Sequence, residues 1–357
     1  MNIINYYASG ITADGFVTLL DNNLKDIGKV YYLTGAADYS DLFHNILRSW
    51  EKSRYTMEYL HNPFENGALE GIINLSLNIA VIADICPYYN EYKDGRAEIY
   101  DFRKALDAHK YAEYRNFLIE MNQNKFSCLQ SALLYFAKAL KVHDEWEKVY
   151  RENMNFTKAD GISDGLITRI LRSERAEKAP TVKHRFLGAA TPEGAVNFIP
   201  DLTCNIEKRF FIKGRPGTGK STILKKIVES AFLKGFDTEI YHCGFDPSSL
   251  DMVIIRELGI AIFDSTAPHE NNPDRAEDEI VDVFKETVDQ QAESKYNEVL
   301  SAIAMRYKAD INIATSYLKT MKEINDEIVR YHQIIIDNNI MEEIKNEIYE
   351  KLSVKSY

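Results

Sequence analysis

At 357 residues the chain exceeds the size at which one hydrophobic core usually stops growing, and about 150 residues per domain predicts two or three domains. Hydrophobic residues at 45% and charged residues at 27% exclude a wholly disordered, collagenous or low-complexity chain. With 43 basic against 54 acidic residues the net charge is −11, which argues against a general binder of nucleic acid or membrane surfaces.

A shift of about 180 residues lays the chain on itself, and the predicted elements follow in matched pairs. A short strand opens each half (residues 3–8 and 185–190), followed by a turn and a helix opening at Thr12 or Thr191. Gly15-Phe-Val-Thr-Leu-Leu matches Gly194-Ala-Val-Asn-Phe-Ile, and Lys29–Gly35 matches Lys208–Gly214. The latter pair holds a buried strand, Val30–Leu33 or Arg209–Ile212. A helix, a second strand ending near His61 or His242, another helix and a third apolar strand ending at Asp84 or Asp264 come next. This alternation predicts a mainly parallel sheet with helices on its faces.

The rest of each half is helical. Leu129, Leu133, Phe136, Leu140, His143 and Trp146 form one seam; Ile311, Ala314, Leu318, Met321, Asn325, Ile328, His332 and Ile335 form the other. Each seam predicts a long helix packed in an antiparallel hairpin, with His143 and Asn325 as register-setting polar residues. Arg172–Lys183 is charged, contains Pro180 and reads as a linker. The cut falls near residue 178, giving domains 1–178 and 184–357.

Cys86, Cys128, Cys204 and Cys243 form no CxxC pair, so reduced thiols are expected instead of a zinc ribbon or disulfide framework. Met1–Gly10 lacks the basic and apolar regions of a signal peptide. The most apolar stretch, Ile72–Ile85, is interrupted by Asn74, Ser76 and Asn78 and is too short for a membrane span. A cytoplasmic protein is the expectation.

The strongest chemical signal is Gly214-Arg215-Pro216-Gly217-Thr218-Gly219-Lys220-Ser221-Thr222, which fits GxxxxGK[ST] between an apolar strand and a helical pattern. Glycines let backbone N–H groups converge on phosphate oxygens; Lys220 reaches the β- and γ-phosphates, and the Ser221 hydroxyl ligates Mg²⁺. Asp264, ending the strand Ile260–Asp264, is the second expected magnesium residue.

With these residues the second half resembles a P-loop NTPase of the Walker type. The whole chain resembles an uncharacterised family of bacterial tandem P-loop ATPases, through His184–Pro200, Lys213–Thr222, Tyr241–Leu258 and Ala261–Glu270. The resemblance implies duplicated P-loop NTPase-like α/β domains that bind ATP with Mg²⁺, and it implies no substrate. The first copy departs from the pattern. At Gly35–Leu42, Asp38, Ser40, Asp41 and Leu42 stand where the second copy has Gly217, Gly219, Lys220 and Ser221, which predicts a first domain unable to hold a triphosphate.

Guanine motifs are missing, and Ser265 stands where many ATPases place a water-orienting Glu after the metal Asp, so slow hydrolysis is expected. Asp246 is a candidate general base or water-orienting group, with His242 and Asp251 beside it; its alternative role is a turn and N-cap in Asp246-Pro247-Ser248-Ser249. His269 is a further candidate contact, and Arg215, Arg256 and Arg275 are candidates for charge stabilisation. The expected function is a slow Mg-dependent ATPase whose nucleotide state shifts the helical hairpins and, through them, a protein partner. A small-molecule or nucleotide kinase and an ATP-binding scaffold without turnover are the alternatives.

Overall fold

The computed structural model describes residues 2–35, 38–50, 53–86, 95–267 and 270–352. The first half runs β1 (Asn2–Tyr6), β2 (Ser9–Thr12), β3 (Gly15–Thr18), α1 (Leu20–Leu24), β4 (Lys29–Thr34) and α2 (Ser40–Trp50). It continues with β5 (Thr56–His61), β6 (Leu69–Asn74), β7 (Ile79–Ala83), β8 (Ala97–Asp101), α3 (Ala108–Glu152) and α4 (Phe156–Leu171). The second half begins β9 (Val182–Phe186), β10 (Gly188–Thr191), β11 (Gly194–Asn197), α5 (Ile199–Thr203), β12 (Lys208–Lys213) and α6 (Lys220–Leu233). Then come β13 (Thr238–His242), β14 (Leu250–Ile255), β15 (Ile260–Asp264) and β16 (Glu279–Asp282). The helices α7 (Val283–Thr287), α8 (Ala292–Lys295), α9 (Asn297–Ile335) and α10 (Asn338–Leu352) complete it.

Two six-stranded sheets have the same construction: β1-β5-β6-β7-β4-β8 and, in matching order, β9-β13-β14-β15-β12-β16. In each, the two pairings that involve the hairpin strand β6 or β14 are antiparallel and the other three are parallel. β4 and β12 occupy equivalent places, as a duplicated unit requires. Both are buried through their middle four residues; these are apolar or aromatic in β4, and in β12 they include Arg209, which pairs with Asp278.

Two expected helices are strands. At Thr12 and Thr191 the chain forms the hairpins β2–β3 and β10–β11. Each threonine hydroxyl donates to the carbonyl of Gly15 or Gly194 and accepts from the N–H of Asp14 or Glu193, so the N-cap chemistry closes a tight turn instead. The second is the segment before the third apolar strand. There β6 and β14 run antiparallel between their neighbours, and every residue of β14 is buried, as its Met-Val-Ile-Ile run suits.

The larger correction concerns the hairpins. A hairpin was expected within each half, yet α3 lies along α9 of the other half. Leu129, Ala132 and Phe136 of α3 bury against Ala314, Leu318 and Met321 of α9. The ends are tied symmetrically: Asp107 N donates to Ile335 O and Asp337 N to Ala105 O, while Asn155 N donates to Thr287 O and Asp289 N to Asn153 O. At about 1.5 Å per residue, the 45 residues of α3 span about 68 Å, which carries the chain fully across to the opposite sheet. There α4 packs with α6 in one core, through Leu166 and Ile170 against Ile223, Leu224 and Ile227. Reciprocally, Ile348 and Leu352 of α10 join the core of the first half beside Leu42, Ile46 and Trp50. The halves have exchanged their terminal helices.

Glu70, on β6, is buried under the β2–β3 hairpin and receives the Ser9 hydroxyl at 2.5 Å. Burial pushes its carboxyl from an ordinary 4.5 up to about 8, against the pull of Ser9. The folded state therefore holds a proton that the unfolded state releases. The associated stabilisation is full below pH 4.5 and lost as pH rises through about 8. Glu70→Gln should remove a slope on the order of 1.4 kcal/mol per pH unit in that window. Urea unfolding across the window checks this; an unchanged slope in the variant would show that Glu70 does not hold the proton.

Candidate functional site

The segment Gly214–Gly219 leaves β12 and feeds α6 at Lys220. Gly217 and Gly219 adopt φ of 75° and 81°, where side chains are strained. The buried Thr218 donates its hydroxyl to the Arg215 carbonyl at 2.8 Å, which curls the segment on itself. Gly219 is the N-cap of α6 and no side chain caps it, so the positive end of this 14-residue helix is left open.

β15 is hydrogen-bonded alongside β12 with Asp264 opposite Ile212, so the Asp264 carboxylate stands beside the start of the loop. Lys220 donates to the Arg215 carbonyl at 3.0 Å and lies 3.5 Å from the Asp264 carboxylate. Thr266 donates to Asp264 through its N–H, at 2.9 Å, and through its hydroxyl. Burial pushes the Asp264 carboxyl above its ordinary range; Lys220 opposes this and Asp251 on β14 adds to it. Ser221 presents its hydroxyl at the first turn of α6 and accepts the Leu250 N–H at 2.9 Å. Gly214–Thr222 and Asp264 are thus brought together at one end of the second sheet.

A roof comes from the other half. The place a Cβ would occupy on Gly217 is 2.5 Å from the Glu147 carbonyl of α3, and on Gly219 it is 3.3 Å from the Met154 methyl. His143, one turn before Glu147, packs near Phe245 and Tyr307, and its Nδ1 is 3.8 Å from the Glu147 carboxylate. Burial holds its imidazole below the usual value; Glu147 opposes the shift and Lys220 reinforces it. His143 therefore lies one turn from the α3 residue seated against Gly217, within the field of Lys220. Glu147 and Met154 escaped the sequence reading because only the exchange of helices brings α3 here.

The other candidates are committed elsewhere. Asp246 Oδ1 accepts the Ser248 N–H at 3.0 Å and its hydroxyl at 2.7 Å, the turn role. His242 donates from Nδ1 to the Pro247 carbonyl at 2.7 Å, which leaves Nε2 to accept from His184 at 2.8 Å. Arg215 points out to Glu293 at 2.7 Å and Arg256 pairs with Glu239 on β13 at 2.7 Å. Arg275 donates to the Thr203, Cys204 and Ile206 carbonyls after α5. His269 lies outside the described residues.

In the first half, the matching residues build something different. Asp38 caps α2 by accepting from the Ser40 N–H and hydroxyl, Asp41 is exposed, and Leu42 is buried in the core. Of Asp38 and Asp41, the two carboxylates in place of Gly217 and Lys220, only Asp38 lines the cavity found there.

Among the described residues, no three or more His, Cys, Asp or Glu side chains are grouped to hold a metal ion. Ser221 and Asp264 offer one hydroxyl and one carboxylate, a set that suits Mg²⁺ carried mainly by phosphate oxygens and water. No described helix is long and apolar enough to cross a membrane. No protein-family model, curated protein or solved structure matches the chain.

Proposed function

We propose that the second half binds a magnesium nucleoside triphosphate, ATP in the absence of guanine motifs, and hydrolyses it slowly as a switch acting on α3 and α9. Lys220, the glycine-rich backbone and the open end of α6 supply positive charge for the β- and γ-phosphates. Ser221 and Asp264 would hold Mg²⁺, which offsets phosphate charge when bound.

The observation that carries the switch is the Glu147 carbonyl seated against Gly217. A phosphate chain cradled by the loop needs space that α3 borders, so occupancy and the position of α3 are linked. Transmission to a protein partner then runs along a paired helix that reaches both halves. A kinase using Asp246 as base is the weaker reading, because that carboxylate already serves Ser248.

Magnesium ATP should change amide hydrogen exchange across residues 143–154, with slow ADP release that a metabolite panel does not accelerate. Unchanged exchange there would remove the switch. Acceptor-dependent ADP release would move the function to phosphoryl transfer.

A further inference from the structure

The first half contains a cavity of about 600 Å³ between the ends of β4 and β7 and the α3–α9 pair, within the size range of small-molecule sites. It lies where the second half has its glycine-rich loop, but its charges are arranged differently. Asp84, after β7, lines one wall and receives the Thr34 hydroxyl at 3.4 Å. Lys125, from α3, lines the opposite wall and donates to Asn325 of α9 at 2.7 Å.

Among the described residues neither Asp84 nor Lys125 makes an ion pair within 4 Å; Asp84 lies in the field of Arg103 and then of Lys125, and Lys125 in the field of Asp84. Burial raises the Asp84 carboxyl and lowers the Lys125 ammonium, and both side chains are half-buried, so solvent screens them only in part. An ammonium has three donors, and Asn325 takes one. His332 also lines the cavity, and its buried Nδ1 has no hydrogen-bond partner among the described residues. Burial, then Lys125, holds that imidazole below its usual value, so it is neutral and able to accept or donate.

The other charged groups on the walls are already matched or lie toward solvent. Arg103 is bonded to Asp101, Lys322 pairs with Asp326 at 2.9 Å and lies 3.8 Å from Glu65, and Asp38 is exposed. The lining also includes the apolar Leu118, Phe126, Leu129 and Ile328. A triphosphate would bring its charge against Asp38 and Asp84, and an uncharged nucleoside would give neither Asp84 nor Lys125 an ionic partner of its own.

We propose that this cavity binds a small zwitterion of the α-amino-acid or short-peptide class, its ammonium on Asp84, its carboxylate on Lys125 and an apolar side chain between. The site is in the other half and stands or falls independently of nucleotide binding.

Titrating the full chain in a calorimeter with L-leucine and L-leucyl-L-leucine, to millimolar concentration, tests it. At least one should bind, while N-acetyl-leucine and leucinamide, each lacking one charge, should bind at least about thirtyfold more weakly. Lys125→Met and Asp84→Asn should cause losses of the same size. The modified ligands probe the unaltered protein, so a variant that folds poorly does not decide the matter. Binding of neither zwitterion, equal binding of the modified ligands, or adenosine binding in their place would overturn the assignment.

Discussion

Titration with magnesium ATP should give a stoichiometry near one per chain, and Lys220→Ala should abolish the signal. In the second half the glycine-rich loop, the open end of α6 and Lys220 all present positive charge at one point. Removing a cation about 4 Å from a phosphate charge costs on the order of 4 kcal/mol at an effective dielectric near 20, roughly a thousandfold in affinity. In the first half the matching loop offers Asp38 at the cavity, an exposed Asp41 and a buried Leu42. At the start of α2, Asp41 stands where Lys220 begins α6. Because Lys220 also neutralises the half-buried Asp264, thermal unfolding of the variant must accompany the titration. Two comparable sites, or binding that survives in a folded Lys220→Ala protein, would defeat the one-site reading.

Arg185→Met should destabilise the whole molecule by about 3–5 kcal/mol, the cost of leaving the buried Glu58 charge without its main partner and with only Lys183 beside it. Arg185 is completely buried where the two halves meet. It pairs with Glu58 of the first half, lies 3.4 Å from Glu239 of the second, and sits 4.2 Å over the Tyr6 ring. Its Nε also donates to Asn23 at 3.2 Å. Glu58 and Glu239 occupy matching places on β5 and β13, so one arginine serves both copies.

Burial alone would raise the Glu58 carboxyl, but Arg185 and Lys183 hold it below 4.5. This contribution is present above pH 4.5 and lost as pH falls through the depressed value. Urea unfolding of Arg185→Met at neutral pH measures the loss. Adding Glu58→Met should restore part of it, since an apolar pair strands no charge. A loss under about 1 kcal/mol would mean that water reaches the site and screens Glu58.

The sequence by itself determined which residues turn inward and where the chain repeats. Buried strands such as Val30–Leu33 and Arg209–Ile212 were legible because both faces are covered, so that apolar and aromatic side chains predominate. The seam of α9 was legible because burial along one helix face imposes steps of three and four. Gly214–Thr222 was legible because positive φ and close approach restrict residue type.

Only the tertiary structure decided which surfaces meet. Periodicity identifies an apolar face but not its partner, and two copies of one pattern make pairing within a half and pairing between halves look alike. The length of α3 and its fit to α9 resolve that choice across the molecule. That resolution sets Glu147 over Gly217 and carries Lys125 into the cavity facing Asp84, two juxtapositions that no local spacing encodes.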